Sequence, residues 1–219
     1  MQKILDEMFR IQRAELIDEL TKKGITDPAV IKAIGIIPRE RFIPKTMEHF
    51  AYKDVALPIG YEQTISQPYT VAFMTEQLKI NKPGMKILEI GAGSGYQAAV
   101  LYEMGCDVYS IERNLDLHHR TTKLFDKLGI RVHAKYGDGT IGWREFAPFD
   151  GIIVTAGSPS VPQKLKDQLN INGKMVIPVG DRNSQKLFLL KKISDTEFES
   201  EIIPEFAFVP LIGREGWKR

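Results

Sequence analysis

The sequence predicts an α/β protein with a doubly wound, Rossmann-like parallel sheet, an N-terminal helical extension and antiparallel strands towards the C-terminus. From residue 86 onward, short apolar runs alternate with helical patterns. Helical patterns of about 10–15 residues between strands are typical of parallel strands joined by right-handed crossovers. After residue 173, strand-like runs follow one another with only short turns between them, which indicates antiparallel pairing at one edge of the sheet.

The elements follow from this alternation and from apolar spacing. A first helix is predicted over 2–23, a second begins after the cap residue Asp27 with Pro28 as its first residue, and another begins at Pro68. The remaining predictions are strands at 86–90, 107–111, 131–135, 151–155, 174–179, 185–191 and 197–203, and helices at 96–104, 114–128 and 162–169.

The stretch from residue 45 to 67 has no clean periodicity, and a loop of that length inside a compact domain is usually functional or a lid. We therefore predict two parts. Residues 1–79 form a helical extension with a substrate and cofactor loop, and residues 80–219 form an α/β domain that ends in a substrate-binding segment.

The bulk composition excludes several classes of protein. The net charge of +2 gives no electrostatic footprint for nucleic acid. Charged residues near the N-terminus do not fit a secretory signal, and no apolar run approaches the roughly 18 residues of a membrane span. The single cysteine, Cys106, is predicted to be structural. We expect a cytoplasmic protein without nucleic-acid or membrane partners; the oligomeric state stays open, with a monomer favoured.

A glycine-rich turn follows the first predicted strand of the sheet. Gly91, Gly93 and Gly95 come directly after an apolar run that contains Glu89. Glycine lets the backbone approach a nucleotide closely, and helix-start amides then point at the ligand. The third glycine comes one position too early for the dinucleotide pattern G-x-G-x-x-G, which places Tyr96 there. Taken alone, the turn also fits any doubly wound domain.

Acidic residues follow the next two strands, where ligands bind in open α/β sheets. Glu112 lies 19 residues after Gly93 and can accept hydrogen bonds from both hydroxyls of a ribose. Asp138 lies between two glycines, including Gly139, and can reach an adenine amino group. Glu112 could instead cap the next helix, and Asp138 could be an ordinary turn residue. The three strand ends together favour an adenosine site.

Two functions on the same fold are disfavoured by local sequence. A nicotinamide-dependent oxidoreductase would need the dinucleotide pattern that Tyr96 interrupts. A methyltransferase acting on nucleic-acid bases would carry a base-gripping motif after the fourth strand, where this chain has Thr155-Ala156-Gly157.

Ser66 stands in the segment Gln63-Thr64-Ile65-Ser66-Gln67-Pro68, directly before a predicted helix. Ser66 or Gln67 is expected at the helix cap, and capping alone would account for a serine there. From the residues alone, this capping interpretation is favoured over a functional one.

Several separated segments together resemble the protein-L-isoaspartate (D-aspartate) O-methyltransferase family. The segments span roughly Pro38 to Trp217 in the family's order: Pro38-Arg39-Glu40, Gln63–Pro68, Glu89-x-Gly91-x-Gly93-x-Gly95, Gly137-Asp138-Gly139, Ile153–Ala156, Val176–Gly180 and Phe208-Val209-Pro210-Leu211. The segments at Ser66 and Pro210 are the most specific. The sequence departs from the family pattern at Glu62, where a glycine is usual, and at His118-His119.

The resemblance implies an S-adenosyl-L-methionine (SAM)-dependent methyltransferase fold and a role for each matched residue. Ser66 is implied as the catalytic residue. The implied cofactor-binding residues are Ile65, Glu89, Gly91, Gly93, Gly95, Glu112, Asp138 and Gly139, and the implied substrate-binding residues are Thr64, Ser66, Val209, Pro210 and Leu211. No metal is expected, because adjacent histidines on a helix point about 100° apart.

The implied reaction is methyl transfer from SAM to the free α-carboxyl of isoaspartyl and D-aspartyl residues in damaged proteins and peptides, which initiates repair through a succinimide. Two alternatives stay open: SAM-dependent methylation of another carboxylate, and a non-catalytic SAM-binding module.

Overall fold

The computed structural model describes residues 2–218. The helices are α1 (Gln2–Lys22), α2 (Pro28–Ile36), α3 (Pro68–Gln77), α4 (Tyr96–Glu103), α5 (Leu115–Leu128) and α6 (Gln163–Asp167). The strands are β1 (Leu57–Gly60), β2 (Gln63–Ile65), β3 (Lys86–Ile90), β4 (Asp107–Glu112), β5 (His133–Tyr136), β6 (Phe149–Val154), β7 (Leu169–Gly180), β8 (Gln185–Lys192) and β9 (Phe198–Phe206). Short 3-10 helices cover Arg39–Phe42, Lys45–Phe50, Gly139–Ile141 and Arg144–Phe146.

The central sheet has the order β5-β4-β3-β6-β7-β8-β9. Strands β3 to β7 pair in parallel, and β8 and β9 add antiparallel at one edge. The chain order reverses between β3 and β6, so the carboxyl ends of these two strands open the crevice where ligands of such sheets bind. The predicted doubly wound sheet with antiparallel C-terminal strands is confirmed.

Both faces of the central strands are buried, so β3 and β6 are almost continuously apolar. Ile87 on β3 and Val108 on β4 face a core that also contains side chains of α1 to α5. Their neighbours Leu88 and Tyr109 face a second core with Leu165 of α6 and residues near the C-terminus. Packing in the first core fixes the position of α3 relative to the sheet.

The N-terminal helices are part of the same core as the sheet. Leu16 and Leu20 of α1 are buried in the cluster that contains Ile87. Asp27 caps α2 as predicted, since its Oδ1 accepts the N–H of Ala29 at 2.8 Å, and Pro28 is the first helical residue. The division into 1–79 and 80–219 stays a prediction.

The segment 45–67 is more ordered than the sequence predicts. It contains the 3-10 helix Lys45–Phe50 and the hairpin of β1 and β2, so the expected irregular loop is wrong. Leu57 and Ile59 alternate as buried residues, but four residues are too few to show this period in the sequence. The hairpin turn places Tyr61 (φ 55°) and Glu62 (φ 57°) in the left-handed region, where glycine is favoured.

The other predicted boundaries differ by a few residues. The helix predicted over 162–169 ends at Asp167, and β7 begins at Leu169, five residues before the predicted 174. Leu165 and Leu169 have helical spacing, but Leu169 pairs with Phe149 on β6 instead. No helix among the described residues combines the length and apolarity needed to cross a bilayer.

Candidate active site

A cleft of about 460 Å³ opens at the carboxyl ends of the parallel strands. Its volume lies in the range of small-molecule sites. The structure brings most of the predicted site residues to its walls: Thr64, Ile65, Ser66, Glu89, Gly91, Gly93, Glu112, Gly139, Val209, Pro210 and Leu211. Gly95 and Asp138 do not line it.

The glycine turn after β3 forms the floor of the cleft. Gly91 has φ 95°, and a Cβ there would lie 2.6 Å from Thr155 Oγ1. That hydroxyl donates to the Ile90 carbonyl at 3.0 Å and reaches the Gly91 carbonyl at 2.6 Å. Glycine is therefore required at position 91, and Thr155 holds the turn from the end of β6.

Gly95 has a packing role instead of a direct place in the cleft. It precedes α4 with φ 86°, and a Cβ there would lie 2.6 Å from Thr121 and 2.8 Å from Phe125 on α5. Glycine at this position therefore lets α5 pack against the turn. Gly95 does not line the cleft, and its contact with the cofactor stays a prediction.

Glu112 joins the end of β4 to the glycine turn. Its Oε2 accepts the N–H of Gly93 at 2.8 Å, and its Oε1 accepts the N–H of Asn114 at 2.7 Å. A carboxylate has about four lone-pair positions, so further acceptor capacity remains for hydroxyl groups. The residue lies at the wall where ribose binding is predicted.

Glu89 is a buried carboxyl beneath the glycine turn. Ser110 Oγ donates to its Oε2, whereas its Oε1 has no hydrogen-bond partner among the described residues. Burial raises the pKa of Glu89 to about 8. An unpaired polar atom on a cleft wall is a site prepared for a donor on a ligand.

Asp138 binds the C-terminal segment and not the cleft. Its Oδ1 accepts the N–H of Thr140 at 2.9 Å and the Thr140 hydroxyl at 2.7 Å, and its Oδ2 accepts the N–H of Arg214 at 2.8 Å. Partial burial opposes ionisation, but these hydrogen bonds hold the pKa of Asp138 below its ordinary value. The neighbouring Gly139 lines the cleft, and the adenine contact predicted for Asp138 stays a prediction.

Ser66 does not cap α3. The N-cap residue is Gln67, and the N–H of Tyr69 in the first turn donates to Asp54 Oδ1 at 2.7 Å. Within residues 2–218, Ser66 Oγ has no hydrogen-bond partner, and Ser66 is a half-buried residue on the cleft wall. The capping interpretation of this serine is therefore wrong, and its hydroxyl is available to a ligand.

The C-terminal segment, residues 209–217, folds back as the opposite wall. The N–H of Gly157 donates to the Val209 carbonyl, and the N–H of Leu211 donates to the Gly157 carbonyl, each at 2.8 Å. Trp217 Nε1 donates to the same Gly157 carbonyl at 3.1 Å. These contacts fix Val209 and Leu211 beside the end of β6, where the sequence predicts substrate binding.

Sequence reasoning missed two kinds of cleft residue. Thr70 and Met74 of α3 line the cleft, but their helical spacing indicates only core packing. Arg182 lines it from the turn after β7. Ligands bind at the carboxyl ends of parallel strands, and this rule led to Glu112 after β4. Because β7 is also a parallel strand, the same rule applied to its carboxyl end would have led to Arg182.

The described part of the chain offers no metal site. Among residues 2–218, no group of three or more His, Cys, Asp or Glu side chains is arranged to hold a metal ion. Cys106 is buried, and burial raises the pKa of its thiol to about 12, so the thiolate is disfavoured.

Comparison with known proteins identifies relatives over nearly the whole chain. Residues 11–216 match the model of the family described as protein-L-isoaspartate(D-aspartate) O-methyltransferase. A protein-L-isoaspartate O-methyltransferase of Chlorobium phaeobacteroides is 50% identical over 210 residues, covering 96% of this chain and 97% of the relative. One from Flavobacterium psychrophilum is 52% identical over 201 residues, covering 91% and 93%.

Solved structures agree with the sequence relatives. A protein-L-isoaspartate O-methyltransferase structure aligns with a TM-score of 0.83 at 32% identity, over 93% of this chain and 67% of that one. A Plasmodium falciparum structure in complex with S-adenosyl-L-homocysteine aligns with a TM-score of 0.79 at 24% identity, over 90% and 97%. The second likeness concerns the fold alone.

Proposed function

This chain belongs to the protein-L-isoaspartate(D-aspartate) O-methyltransferase family, and we propose that its cleft holds SAM on the glycine turn and an isoaspartyl peptide beside Ser66. The family's reaction transfers a methyl group from SAM to the free α-carboxylate of isoaspartyl residues in proteins. In this chain the glycine turn and Glu112 serve the cofactor, and Ser66 serves the substrate.

The cleft residues fit the adenosyl cofactor. Gly91 leaves room for close approach of a ligand, Glu112 keeps acceptor capacity for ribose hydroxyls, and Glu89 Oε1 is buried without a donor. Gly139 lines the cleft and directly follows Asp138, the residue predicted to contact the adenine amino group. When bound, SAM supplies a methyl group activated by attachment to a positively charged sulfur.

Ser66 orients the substrate carboxylate in this proposal. A carboxyl with a reference pKa near 4 is ionised at neutral pH, so it needs no general base. The unpartnered Ser66 hydroxyl donates to one carboxylate oxygen and leaves the other free to attack, which is an orientation effect. The positive charge of an arginine or lysine would lower the nucleophilicity of the carboxylate, whereas a neutral hydroxyl lowers it less. The observation that carries the proposal is the Ser66 hydroxyl on the cleft wall, which has no hydrogen-bond partner among residues 2–218.

Apolar side chains around Ser66 exclude water from the nucleophile. Ile65 and Val71 are buried, with 2% and 3% exposure, and Met74 is 1% exposed. All three line the cleft. Removing water from a carboxylate favours its reaction in a closed site.

The test is methyl transfer from labelled SAM to an isoaspartyl peptide, compared with its normal aspartyl twin. Ser66→Ala should lower kcat by roughly tenfold to hundredfold, a loss of ~1.4–2.7 kcal/mol, while the Kd for SAM stays nearly unchanged. Ser200→Ala, an exposed serine on β9, serves as the matched control and should leave both constants unchanged. Full turnover in Ser66→Ala would remove the serine from the reaction.

The compartment and assembly state stay proposals: a cytoplasmic monomer. Size-exclusion chromatography with light scattering measures the mass directly, and a mass well above the 24.8 kDa of one chain would contradict the monomer.

A further inference from the structure

Arg182 is a cation of the cleft that neither the glycine turn nor Ser66 uses. It lies in the turn between β7 and β8 and lines the cleft. Its guanidinium stacks 5.2 Å from the ring centroid of Trp217, and its Nη2 donates to the Lys218 carbonyl at 2.9 Å. The guanidinium is therefore oriented by Trp217, which belongs to the C-terminal segment, and by the next residue, Lys218.

This oriented cation has no anionic partner in the part of the chain that the structure describes. None of the described carboxylates lies within 4.0 Å of it. The other charged residues on the cleft wall are Arg113, Glu62, Glu89 and Glu112. Glu89 and Glu112 belong to the glycine turn, and Arg113 follows Glu112 directly. Glu62 lies in the β1–β2 hairpin turn, so the substrate half of the cleft carries this acid and Arg182, and Arg182 places its positive charge beside Trp217 of the C-terminal segment.

We propose that Arg182 makes this enzyme prefer isoaspartyl substrates with an acidic side chain next to the isoaspartyl residue; this rests on the function proposed above. The Trp217 ring and the Lys218 carbonyl hold the guanidinium, and its remaining N–H donors match a carboxylate in geometry and charge. Because Arg182 is exposed, the pair adds a preference and not a requirement. The effect expected of an exposed ion pair is about twofold to fivefold in kcat/KM.

The experiment uses acetylated and amidated isoaspartyl peptides with Glu, Gln or Lys on either flank. The full-length enzyme should prefer Glu to Gln by about twofold to fivefold on at least one flank, and high salt should reduce this ratio. Arg182→Gln should bring the ratio to about one, and Arg182→Glu should favour the Lys peptide. The control is Lys186→Gln, an exposed cation on β8 outside the cleft, which should keep the wild-type ratio.

Three results would overturn the assignment. One is a wild-type enzyme that treats the Glu and Gln peptides alike. Another is an equal loss of preference in Lys186→Gln, which would indicate a general surface field. The third is a preference that is absent from the amidated peptides and appears only in the same peptides made with a free C-terminus, which would assign Arg182 to that carboxylate. A wild-type enzyme inactive on every isoaspartyl peptide would instead contradict the proposed function itself.

Discussion

Glu89 and Glu112 are neighbouring carboxyls of one cleft in different surroundings. Glu89 is fully buried, and burial raises its pKa to about 8; one of its oxygens has no donor in the described part of the chain. Glu112 accepts two backbone N–H groups at the end of β4. One acid thus keeps an oxygen free beneath the glycine turn, and the other holds the turn in place.

The raised pKa of Glu89 predicts a pH dependence of stability. The folded pKa, about 8, lies above the reference value of 4.5, so its contribution to stability is fully present below the reference pKa and is lost as pH rises through about 8. The Tm of the ligand-free enzyme should therefore fall between about pH 5 and 8 more steeply than that of Glu89→Gln. Asp116→Asn, which changes an exposed acid on α5, should follow the wild type. Parallel curves for wild type and Glu89→Gln would contradict the buried, protonated carboxyl.

Replacing Glu112 tests the ribose site. Glu112→Ala should weaken SAM binding by about 1–3 kcal/mol, because ribose hydroxyls and the N–H of Gly93 lose their acceptor. Isothermal titration calorimetry measures the Kd, with Asp116→Ala, in the first turn of the helix that follows, as the control. Unchanged affinity in Glu112→Ala would move the ribose partner elsewhere.

At the scale of elements, the C-terminal segment is tied to the loop after β5. Asp138 accepts the N–H of Arg214, and Thr140 Oγ1 accepts the N–H of Glu215 at 3.1 Å. The wall that carries Val209 and Leu211 therefore depends on a loop that also brings Gly139 to the cleft. The walls proposed for the substrate and for the cofactor share this connection.

Asp138→Asn separates the two roles considered for this residue. An amide presents a donor where Arg214 N–H needs an acceptor, so amide hydrogen exchange at Arg214 and Glu215 should accelerate. The KM for the isoaspartyl peptide should rise by more than the Kd for SAM. The opposite result, a large loss of SAM affinity with unchanged exchange, would restore the adenine contact that the sequence predicts.

The sheet and the glycine turn were predictable because their signals are local. A strand such as β3 is recognised from a few apolar residues, and the strand-end rule then brought Glu112 and Gly139 to one crevice. The short hairpin between residues 57 and 65 was not predictable in this way. The β1–β2 hairpin contains strands of four and three residues, too short for a periodic signal.

At the scale of the whole molecule, contacts between distant segments decide which site residues face the cleft. Asp138 and Arg214 are 76 positions apart, and no spacing in the sequence pairs them. Likewise, Asp54 accepts the N–H of Tyr69 in the first turn of α3, a role that a capping Ser66, 12 positions further along, would have filled. The resemblance to the family indicates which residues to expect at the site. The fold decides which of their polar atoms are left without a hydrogen-bond partner within the chain.

The most direct measurement is a crystal structure of the enzyme with S-adenosyl-L-homocysteine and an isoaspartyl peptide. We predict the ribose at Glu112, the adenine beside Gly139, and one oxygen of the isoaspartyl α-carboxylate about 3 Å from Ser66 Oγ. A nucleoside bound away from Gly91 and Glu112, or a peptide carboxylate out of reach of Ser66, would contradict it.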